Sequence, residues 1–378
     1  MTRLAVALCD DFAEERWPSM DRVAAMLDAE LANGHRTRYA ATRVRPPFVK
    51  ATAWLPGGGG AAPATKTDRL LNRFWRYPRH VAKLRDRFDL FHVVDHSYAH
   101  LVNALPAART IVTCHDLDAF RSLLDPGGDG RSAPFRSMTK RIAAGLARAA
   151  HVICDTDVVR RSLVAAGLVD EDRISVVPLG VGERFFSDTP HTASDDIELL
   201  HVGSTVARKR VDVLIRIVAA MAQDGRRVRL VRIGDPLTCD QRRLARELGV
   251  ADRIVERGDV DEEALAASYR RATIVLQPSE REGFGLPVLE ALASGTPVVA
   301  SDLPVLREVG GDAVAYCAPG DVDAWARTVR DLLQERATST SRWRARQVAG
   351  RLRARTFTWR RFGDEVVRVY EQVAGAWV

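Results

Sequence analysis

Two segments in the second half of the chain carry residues whose types and spacing suit an anionic ligand. The first, HVGSTVARKRVDVLI (201–215), places Arg208, Lys209 and Arg210 directly before a predicted helix that begins near Val211. Three cations at that position oppose the helix dipole unless an anion offsets them, so the segment predicts phosphate binding. A solvated basic turn is the alternative interpretation.

The second segment, SEREGFGLPVLEALASGTPVVASD (279–302), predicts a strand, a glycine-bearing loop and a helix with proline in its first turn. Gly283 and Gly285 let the backbone approach a ligand closely, and the loop amides with the helix N-terminus suit a diphosphate. Glu282 and Glu290 are separated by seven residues and cannot form one close carboxylate pair, which favours two distinct roles. An ordinary turn with two solvated glutamates is the alternative.

The remaining sequence alternates apolar strands with helical patterns, which predicts parallel sheets covered by helices. Strands are expected at 4–9, 90–95, 110–115, 151–156, 174–179, 197–203, 228–234, 274–279 and 297–301. Helices are expected near 19–32, 137–149, 157–166, 211–223, 240–248, 261–271, 287–294, 321–334 and 359–375. The polar segment 187–196 is the natural linker, so the pattern predicts two doubly wound α/β domains facing each other across a cleft.

Composition limits the class of protein. The chain has 378 residues, 46% of them hydrophobic, which suits two domains with separate cores. Its net charge of +7 favours an anionic partner: a nucleotide, a phospholipid surface or a nucleic acid. Without a long apolar run, a signal-like N-terminus or a CxxC pair, we expect a cytoplasmic protein with free thiols and no transmembrane helix. Peripheral contact with the inner membrane face stays open.

GSTVARK (203–209), followed about 70 residues later by EGFGLPVLE (282–290), resembles the retaining family-4-type glycosyltransferases with the GT-B fold. The resemblance extends to LVRIGDP (230–236), to 258–279 and 295–316, to VVPLGVGERF (176–185) and to TCHDL (113–117). It implies two Rossmann-like domains: an acceptor-side domain at 1–187 and a nucleotide-sugar donor domain at 188–355. A final helix within 356–378 would cross back to the first domain.

The resemblance also implies roles for individual residues. Arg208 and Lys209 match the basic pair that holds the donor diphosphate, and Glu290 matches the carboxylate that binds the ribose hydroxyls. Glu282, near the transferred sugar, and His115, which contacts the sugar or the leaving group, match catalytic positions. The loop whose backbone contacts sugar and phosphate corresponds to Gly283, Phe284, Gly285 and Leu286. No metal and no cofactor are expected, because the nucleotide diphosphate sugar is itself the substrate.

The stretch after the first predicted strand, on the expected acceptor side, differs from the family pattern. Many members place a glycine-rich pair after the first strand, where this chain has CDDFAEERWPSMDR (9–22). Trp17, Met20 and His96 are therefore candidates for acceptor binding, whereas His100 is expected on a helix surface. A glycan, a lipid-linked sugar or an amphiphilic small molecule would suit such a mixture of apolar and polar groups.

The basic segment 66–88 is interleaved with Phe74, Trp75 and Tyr77, and it contains Pro78, which interrupts any long amphipathic helix. Contact with phospholipid head groups is one interpretation of it, and a solvated helical face with inward-packing aromatics is the favoured one. Three Asp-x-Asp tripeptides, at 155–157, 259–261 and 321–323, precede predicted helices and are interpreted as N-caps, not as metal ligands.

The predicted function is retaining, metal-independent transfer of a hexosyl group from a nucleotide diphosphate sugar to an acceptor hydroxyl. Two alternatives remain open: a GT-B sugar-nucleotide epimerase, and a non-catalytic basic protein that binds nucleic acid. No nucleic-acid partner is expected, because the charges do not follow one element.

Overall fold

The computed structural model describes residues 3–15, 17–51, 65–124, 132–186 and 196–376. The chain divides into two compact units, Met1–Leu179 with Trp359–Val378 (unit 1) and Gly180–Thr358 (unit 2). Except for its last residue, the expected linker 187–196 lies outside the described residues.

Unit 1 is built on a six-stranded sheet with the strand order β2-β1-β3-β4-β5-β6, and all its strands are parallel. These strands are β1 (Leu4–Cys9), β2 (Tyr39–Val44), β3 (Leu90–Val93), β4 (Thr110–Cys114), β5 (His151–Cys154) and β6 (Ile174–Val176). Its helices are α1 (Pro18–Gly34), α2 (Lys66–Leu71), α3 (Tyr77–Ala82), α4 (Arg121–Leu124), α5 (Ala133–Arg148) and α6 (Asp157–Ala165).

Unit 2 repeats this architecture with the strand order β12-β11-β10-β7-β8-β9, again all parallel. Its strands are β7 (Ile197–Val202), β8 (Val228–Ile233), β9 (Ile254–Arg257), β10 (Ile274–Gln277), β11 (Val298–Ser301) and β12 (Ala315–Cys317). Its helices are α7 (Val211–Gln223), α8 (Cys239–Glu247), α9 (Glu262–Arg271), α10 (Leu286–Ala293), α11 (Pro304–Gly310), α12 (Val322–Thr338) and α13 (Thr340–Ala354). Each sheet has its own buried apolar core.

The C-terminal helix α14 (Trp359–Gly375) packs within unit 1, where it contacts α1. The Tyr370 hydroxyl lies 2.8 Å from Nδ1 of His92, a fully buried residue of β3. The other ring nitrogen of His92 lies 2.7 Å from the Thr113 hydroxyl. Burial lowers the pKa of His92 to about 3, so a neutral imidazole links the last helix to the centre of the sheet.

All nine predicted strands and all nine predicted helices are present, and the α/β fold class is confirmed. The sequence pattern missed β2, β9 and β12, which all lie at sheet edges. Edge strands are short and more polar, so they lack the continuous apolar run that identifies a central parallel strand.

The basic segment is helical from Lys66 to Ala82, with a π-helical turn at Asn72–Arg76 just before Pro78. Proline cannot donate the next helical hydrogen bond, and the wider turn accommodates that loss. Tyr77 is fully buried and Phe74 packs against the core, as the inward-packing interpretation predicts. For Trp75 that interpretation is wrong, because this side chain is 51% exposed.

The expectation for His100 is also wrong. This residue is fully buried in the 3-10 segment His96–Ala104, and its Nε2 donates to the Arg73 carbonyl at 2.8 Å. Its ring stacks on Phe74 with centroids 4.5 Å apart. Helical periodicity could not predict this burial because the segment is a 3-10 helix packed under α5.

The five cysteines are free thiols, and of these only Cys239 is exposed. Among the described residues, no helix is long and apolar enough to cross a bilayer.

Close packing of α5 on the 3-10 segment predicts a strong effect of Gly145→Ala. A Cβ at Gly145 would lie 2.0 Å from the Ala99 carbonyl oxygen, so the backbones would have to separate. We expect the free energy of unfolding to fall by about 1–3 kcal/mol, measured by urea titration. Gly34→Ala is the matched control, because a Cβ there meets no atom within 4 Å and should be neutral or slightly stabilising. Equal midpoints for the two variants would contradict the packing argument.

Candidate active site

The two sequence segments singled out for anion binding meet at the carboxyl ends of neighbouring strands of unit 2. Arg208 and Lys209 lie in a 3-10 turn after β7, and Glu282 lies in the loop after β10. The strands β7 and β10 are paired, so both loops emerge at the same edge of the sheet. A backbone hydrogen bond from the Glu280 amide to the Arg208 carbonyl (2.8 Å) joins the loops directly.

At the centre of this site the Lys209 ammonium donates to Glu282 Oε1 at 2.6 Å. The same oxygen accepts a second hydrogen bond, also 2.6 Å, from Nε2 of the buried Gln277 at the end of β10. The side chains of Lys209 and Glu282 are only 11% and 8% exposed. This pair is therefore largely desolvated and held in one geometry from two sides.

Arg208 completes the cationic side of the site. Its guanidinium donates to the Arg281 carbonyl at 3.0 Å and lies 3.7 Å from Glu282 Oε2. Burial alone would raise the pKa of Glu282, but the Lys209 ammonium and the Arg208 guanidinium outweigh it and lower that pKa. Glu282 is thus an ionised carboxylate at neutral pH, and the group carries one excess positive charge.

The third cation of the segment is balanced differently. Arg210, the N-cap of α7, has a left-handed backbone (φ 47°) and binds both carboxylate oxygens of Asp212 at 2.9 Å. Its guanidinium also donates to Glu280 at 2.7 Å. The argument that three unbalanced cations require an external anion is therefore wrong for Arg210, because carboxylates of the chain offset it.

The loop after Glu282 leads into α10 through glycine. Gly285 is the N-cap residue with φ 101°, and a Cβ there would lie 2.6 Å from the Leu306 side chain. Phe284 is buried and packs edge-on against Phe357, which anchors the loop. Gly283 and Leu286 are partly exposed. The backbone of 283–286 thus lies at a helix N-terminus that carries no capping side chain, a favourable position for an anion.

Glu290 is separate from this group, as the spacing predicts. It lies on α10, is buried, and accepts a hydrogen bond from the Tyr269 hydroxyl of α9 at 2.8 Å. The Tyr269 hydroxyl thus holds the Glu290 carboxyl in one orientation, and such a group can accept hydrogen bonds from ligand hydroxyls.

In unit 1, His115 follows β4 and is buried. Its Nδ1 lies 2.6 Å from Asp155 Oδ2 and its Nε2 lies 2.9 Å from the Val94 carbonyl, so each ring nitrogen faces an acceptor. Burial lowers the pKa of His115, but the Asp155 carboxylate outweighs it and raises that pKa to about 8. An imidazolium donating both protons satisfies this geometry, and a direct contact with substrate requires one of these bonds to break.

The three acceptor candidates lie in different surroundings. His96 is buried between the Asp95 (3.1 Å) and Asp116 (3.4 Å) carboxylates. Burial opposes its protonation, but hydrogen bonds to these carboxylates prevail and raise its pKa to about 10. Trp17 precedes α1 and is 38% exposed, and its ring centroid lies 5.7 Å from Cζ of the Arg73 guanidinium. Met20, in the first turn of α1, is half-buried.

The Asp-x-Asp tripeptides cap helices. Asp261 and Asp321 accept hydrogen bonds from the amides of Ala264 and Ala324, which confirms the capping interpretation. In the third tripeptide the cap is Thr156, and the preceding Asp155 binds His115 instead.

Sequence reasoning missed Gln277, Tyr269 and the role of Asp155. Tyr269 and Asp155 bind predicted site residues from distant elements, and Gln277 binds Glu282 from the end of the preceding strand. It also missed His201, which is fully buried on β7 and whose ring nitrogens have no hydrogen-bond partner among the described residues. Burial, with Arg232 and Lys209 nearby, holds its pKa well below the usual range, so His201 adds no charge to the site.

Two family models match consecutive parts of the chain. "Glycosyltransferase Family 4" matches residues 21–184 and "Glycosyl transferases group 1" matches residues 184–348. The chain belongs to the family-4-type glycosyltransferases with the GT-B fold. Together the two matches extend from α1 to α13.

Named relatives include a D-inositol 3-phosphate glycosyltransferase from Mycolicibacterium smegmatis, 29% identical over 70% of this chain and 62% of that protein. An MMP alpha-(1->4)-mannosyltransferase from Mycolicibacterium hassiacum is 32% identical over 54% of this chain and 49% of that protein. The alignments thus span 62% and 49% of the length of these two relatives.

Solved structures confirm the GT-B fold. Sucrose-phosphate synthase from Thermosynechococcus elongatus has a TM-score of 0.76 at 22% identity and covers 99% of this chain and 100% of that chain. Anabaena HepE, solved in complex with UDP and glucose, has a TM-score of 0.73 at 14% identity and covers 98% of this chain and 100% of that chain.

The His115–Asp155 pair predicts a pH-dependent contribution to stability. The pKa of His115 is about 8 in the folded state against 6.5 for a free imidazole, so the contribution is complete below pH 6.5 and is lost as pH rises through 8. Asp155→Asn should lower the pKa of His115 from about 8 toward that of a free imidazole, because the strongest opposition to burial is removed while the Asp95 carboxylate still acts. The stability advantage of the wild type over this variant should therefore be larger at pH 6 than at pH 9, by about 2 kcal/mol at most.

An NMR titration of the histidine ring protons measures this pKa directly. Asp170→Asn is the control, because Asp170 is largely exposed and pairs with Arg173. An unchanged His115 titration in Asp155→Asn would refute the assigned cause of the shift.

Proposed function

We propose that this protein transfers a hexosyl group from a nucleotide diphosphate sugar to an acceptor hydroxyl, with the donor bound by unit 2. The observation that carries the proposal is the Lys209–Glu282 pair, with Arg208 beside it and the glycine-bearing N-terminus of α10 following it. Membership of the glycosyltransferase family supports the reaction class. The HepE complexes with UDP and with UDP-glucose support a nucleotide-sugar donor. Neither the epimerase nor the nucleic-acid-binding alternative is favoured by the relatives.

The chemical role of unit 2 follows from charge. As the glycosidic bond to the diphosphate breaks, negative charge grows on the leaving phosphate, and stabilising that charge is the main catalytic requirement. Lys209 and Arg208 supply two cations, and the amides of 283–286 supply dipoles without any side-chain cap to compete. In the ligand-free protein Glu282 neutralises one cation, and an incoming diphosphate competes with this carboxylate for Lys209.

Glu282 then has a second role. Gln277 still holds its Oε1 when Lys209 turns to the phosphate, so the carboxylate stays oriented and can accept a hydroxyl of the sugar. Glu290, oriented by Tyr269, accepts the ribose hydroxyls. We further propose that the reaction is metal-independent, with the two cations in the place that a divalent ion would occupy, and that it retains the anomeric configuration, as the family resemblance implies.

Unit 1 supplies the acceptor side in this proposal. His115, held as an imidazolium by Asp155, places a positive charge at the carboxyl end of β4. It acts on the sugar or the leaving group through that charge, or directly once its bond to Val94 breaks. Trp17, Met20 and His96 remain the proposed acceptor residues, and a cytoplasmic location with peripheral membrane contact remains a proposal.

Lys209→Ala tests the donor assignment. We expect the dissociation constant for UDP or GDP, measured by calorimetry, to rise at least about tenfold because a desolvated cation–phosphate contact is lost. Arg344→Ala, on the surface of α13, is the charge-matched control. Glu282→Gln separates binding from turnover: it frees Lys209, so nucleotide affinity should hold or improve while transfer falls. Unchanged nucleotide affinity in a folded Lys209→Ala protein would contradict the assignment.

Two further measurements test the proposed metal independence and the proposed retention of the anomeric configuration. Transfer in excess EDTA should equal transfer without it if no metal takes part. The anomeric proton couplings of the product, compared with those of the donor, report retention or inversion.

Glu290→Gln tests the ribose assignment. The wild type should bind a ribonucleoside diphosphate about tenfold more tightly than its 2′,3′-dideoxy analogue, because the Glu290 carboxyl accepts hydrogen bonds from both hydroxyls. The variant should lose most of this preference while binding the dideoxy analogue as the wild type does. A preference that survives the substitution would place the ribose elsewhere.

A further inference from the structure

A buried cation lies behind the loops of the unit 2 site. Arg232 is the last residue but one of β8, and it is 1% exposed. Its Nη2 donates to the Gly203 carbonyl at 3.0 Å, and its Nη1 donates to the Asp235 carbonyl at 3.1 Å. Gly203 and Asp235 belong to the loops that follow β7 and β8. A single guanidinium therefore holds these two loops together.

Neither of these hydrogen bonds reaches a carboxylate, and Nε of Arg232 has no hydrogen-bond partner among the described residues. Glu256 is the register partner of Arg232 on β9, but its carboxylate accepts from the Leu237 amide (2.6 Å) and pairs with Arg242 (3.4 Å). Burial lowers the pKa of Arg232, and the charges of Glu256 and Asp235 oppose that shift without reversing it. The charge of Arg232 is thus buried and only partly compensated, which is unfavourable in the protein alone.

Gly203 connects this guanidinium with the cations of the proposed diphosphate site. Its carbonyl accepts from Arg232, and a Cβ placed on Gly203 would lie 4.0 Å from Cε of Lys209. The same Cβ would lie 3.4 Å from Cε1 of His201, which is the register partner of Arg232 on β7. Burial lowers the pKa of His201, and the charges of Arg232 and Lys209 lower it further. The residue beside both cations is therefore a neutral imidazole, which offsets neither charge.

The charges of this region match those of a diphosphate better than those of a monophosphate ester. Arg208 and Lys209 exceed Glu282 by one positive charge, and Arg232 adds a second. A sugar nucleotide with a diphosphate bridge carries two negative charges at neutral pH, whereas a bridge with one phosphate carries one. A buried cation acts on a nearby phosphate more strongly than an exposed one, because less solvent screens the interaction.

We propose that Arg232 is a positioning residue for the donor: its hydrogen bonds fix the loops after β7 and β8, and its buried charge selects a diphosphate over a monophosphate leaving group. This inference rests on the proposed function, in which unit 2 binds the donor diphosphate. At 1% exposure Arg232 acts through the Gly203 loop and through its charge, without direct contact with the donor.

Nucleotides of different charge test this selection. Calorimetry on the full chain gives the dissociation constants of a nucleoside diphosphate and of its monophosphate, in the series of UDP, GDP or ADP that the wild type binds. Arg232→Gln removes the charge and keeps an N–H donor. We expect the dissociation constant of the diphosphate to rise at least about tenfold and that of the monophosphate to rise less. An unchanged diphosphate affinity, or equal losses for both nucleotides, would overturn the inference.

Two further variants separate charge from shape. Arg232→Lys keeps the charge but not the planar fork, so its preference for the diphosphate should stay within about threefold of that of the wild type. Loss of the preference in Arg232→Lys, to the extent seen in Arg232→Gln, would show that charge is not the cause and would overturn the inference. Arg229→Gln is the charge-matched control on the same strand, because Arg229 is exposed and pairs with Glu198 (2.8 Å). It should keep the wild-type constants.

Urea unfolding without nucleotide separates this role from a structural one. Removal of a partly compensated buried charge should leave the midpoint of Arg232→Gln unchanged or raise it. Arg232→Met, a second variant without the charge, should show the same loss of preference for the diphosphate. A lower midpoint with equal losses for both nucleotides, or failure of both variants to fold, would make Arg232 structural and overturn the inference. A wild type that binds no nucleoside diphosphate would instead refute the proposed function.

Discussion

The buried pair between Lys209 and Glu282 is the interaction on which the rest of the unit 2 site depends. Both side chains are largely removed from water, so breaking the pair would leave an uncompensated charge, at a cost of about 3–5 kcal/mol. Gln277 and the backbone bond from Glu280 to Arg208 fix the loops around it. These contacts between the two loops determine where Arg208 lies and where α10 begins. Such a pair adds little net stability, and in the proposed function its value lies in preorganising the loops for the donor diphosphate.

The two units use one architecture with different charged groups at the strand ends. Each is a six-stranded parallel sheet whose carboxyl edge carries the candidate site residues. Unit 2 places an excess cation there, which suits a diphosphate, whereas unit 1 places there the buried carboxyl groups of Asp10, Asp95 and Asp155. Histidine supplies positive charge among these carboxylates: Asp155 raises the pKa of His115, and Asp116 and Asp95 raise the pKa of His96. In the proposed function, charged groups at the strand ends, more than the sheets themselves, would distinguish the donor side from the acceptor side.

The fold could be predicted where burial produces a recognisable pattern of apolar residues in the sequence. Central strands such as β4 and β10 are continuous apolar runs because helices cover both faces of a parallel sheet. The missed strands β2, β9 and β12 lie at edges, and β9 reads IVER, with three of its four residues exposed. His100 was misplaced for a related reason, since a 3-10 segment lacks the 3.6-residue period on which the expectation rested. Pro78 was correctly identified as a disturbance, but a π-turn absorbs it without ending the helix.

The sequence by itself determined which loops carry chemistry. Arg208, Lys209 and the EGFG turn are local patterns, and glycine, proline and charge act on the backbone within a few residues. Only the tertiary structure decided which partners these residues have: Glu282 lies 73 positions from Lys209, Tyr269 lies 21 from Glu290, and Asp155 lies 40 from His115. Local spacing does not contain this information, because it depends on which strand ends adjoin in the sheet, and that order is set by packing of the whole unit.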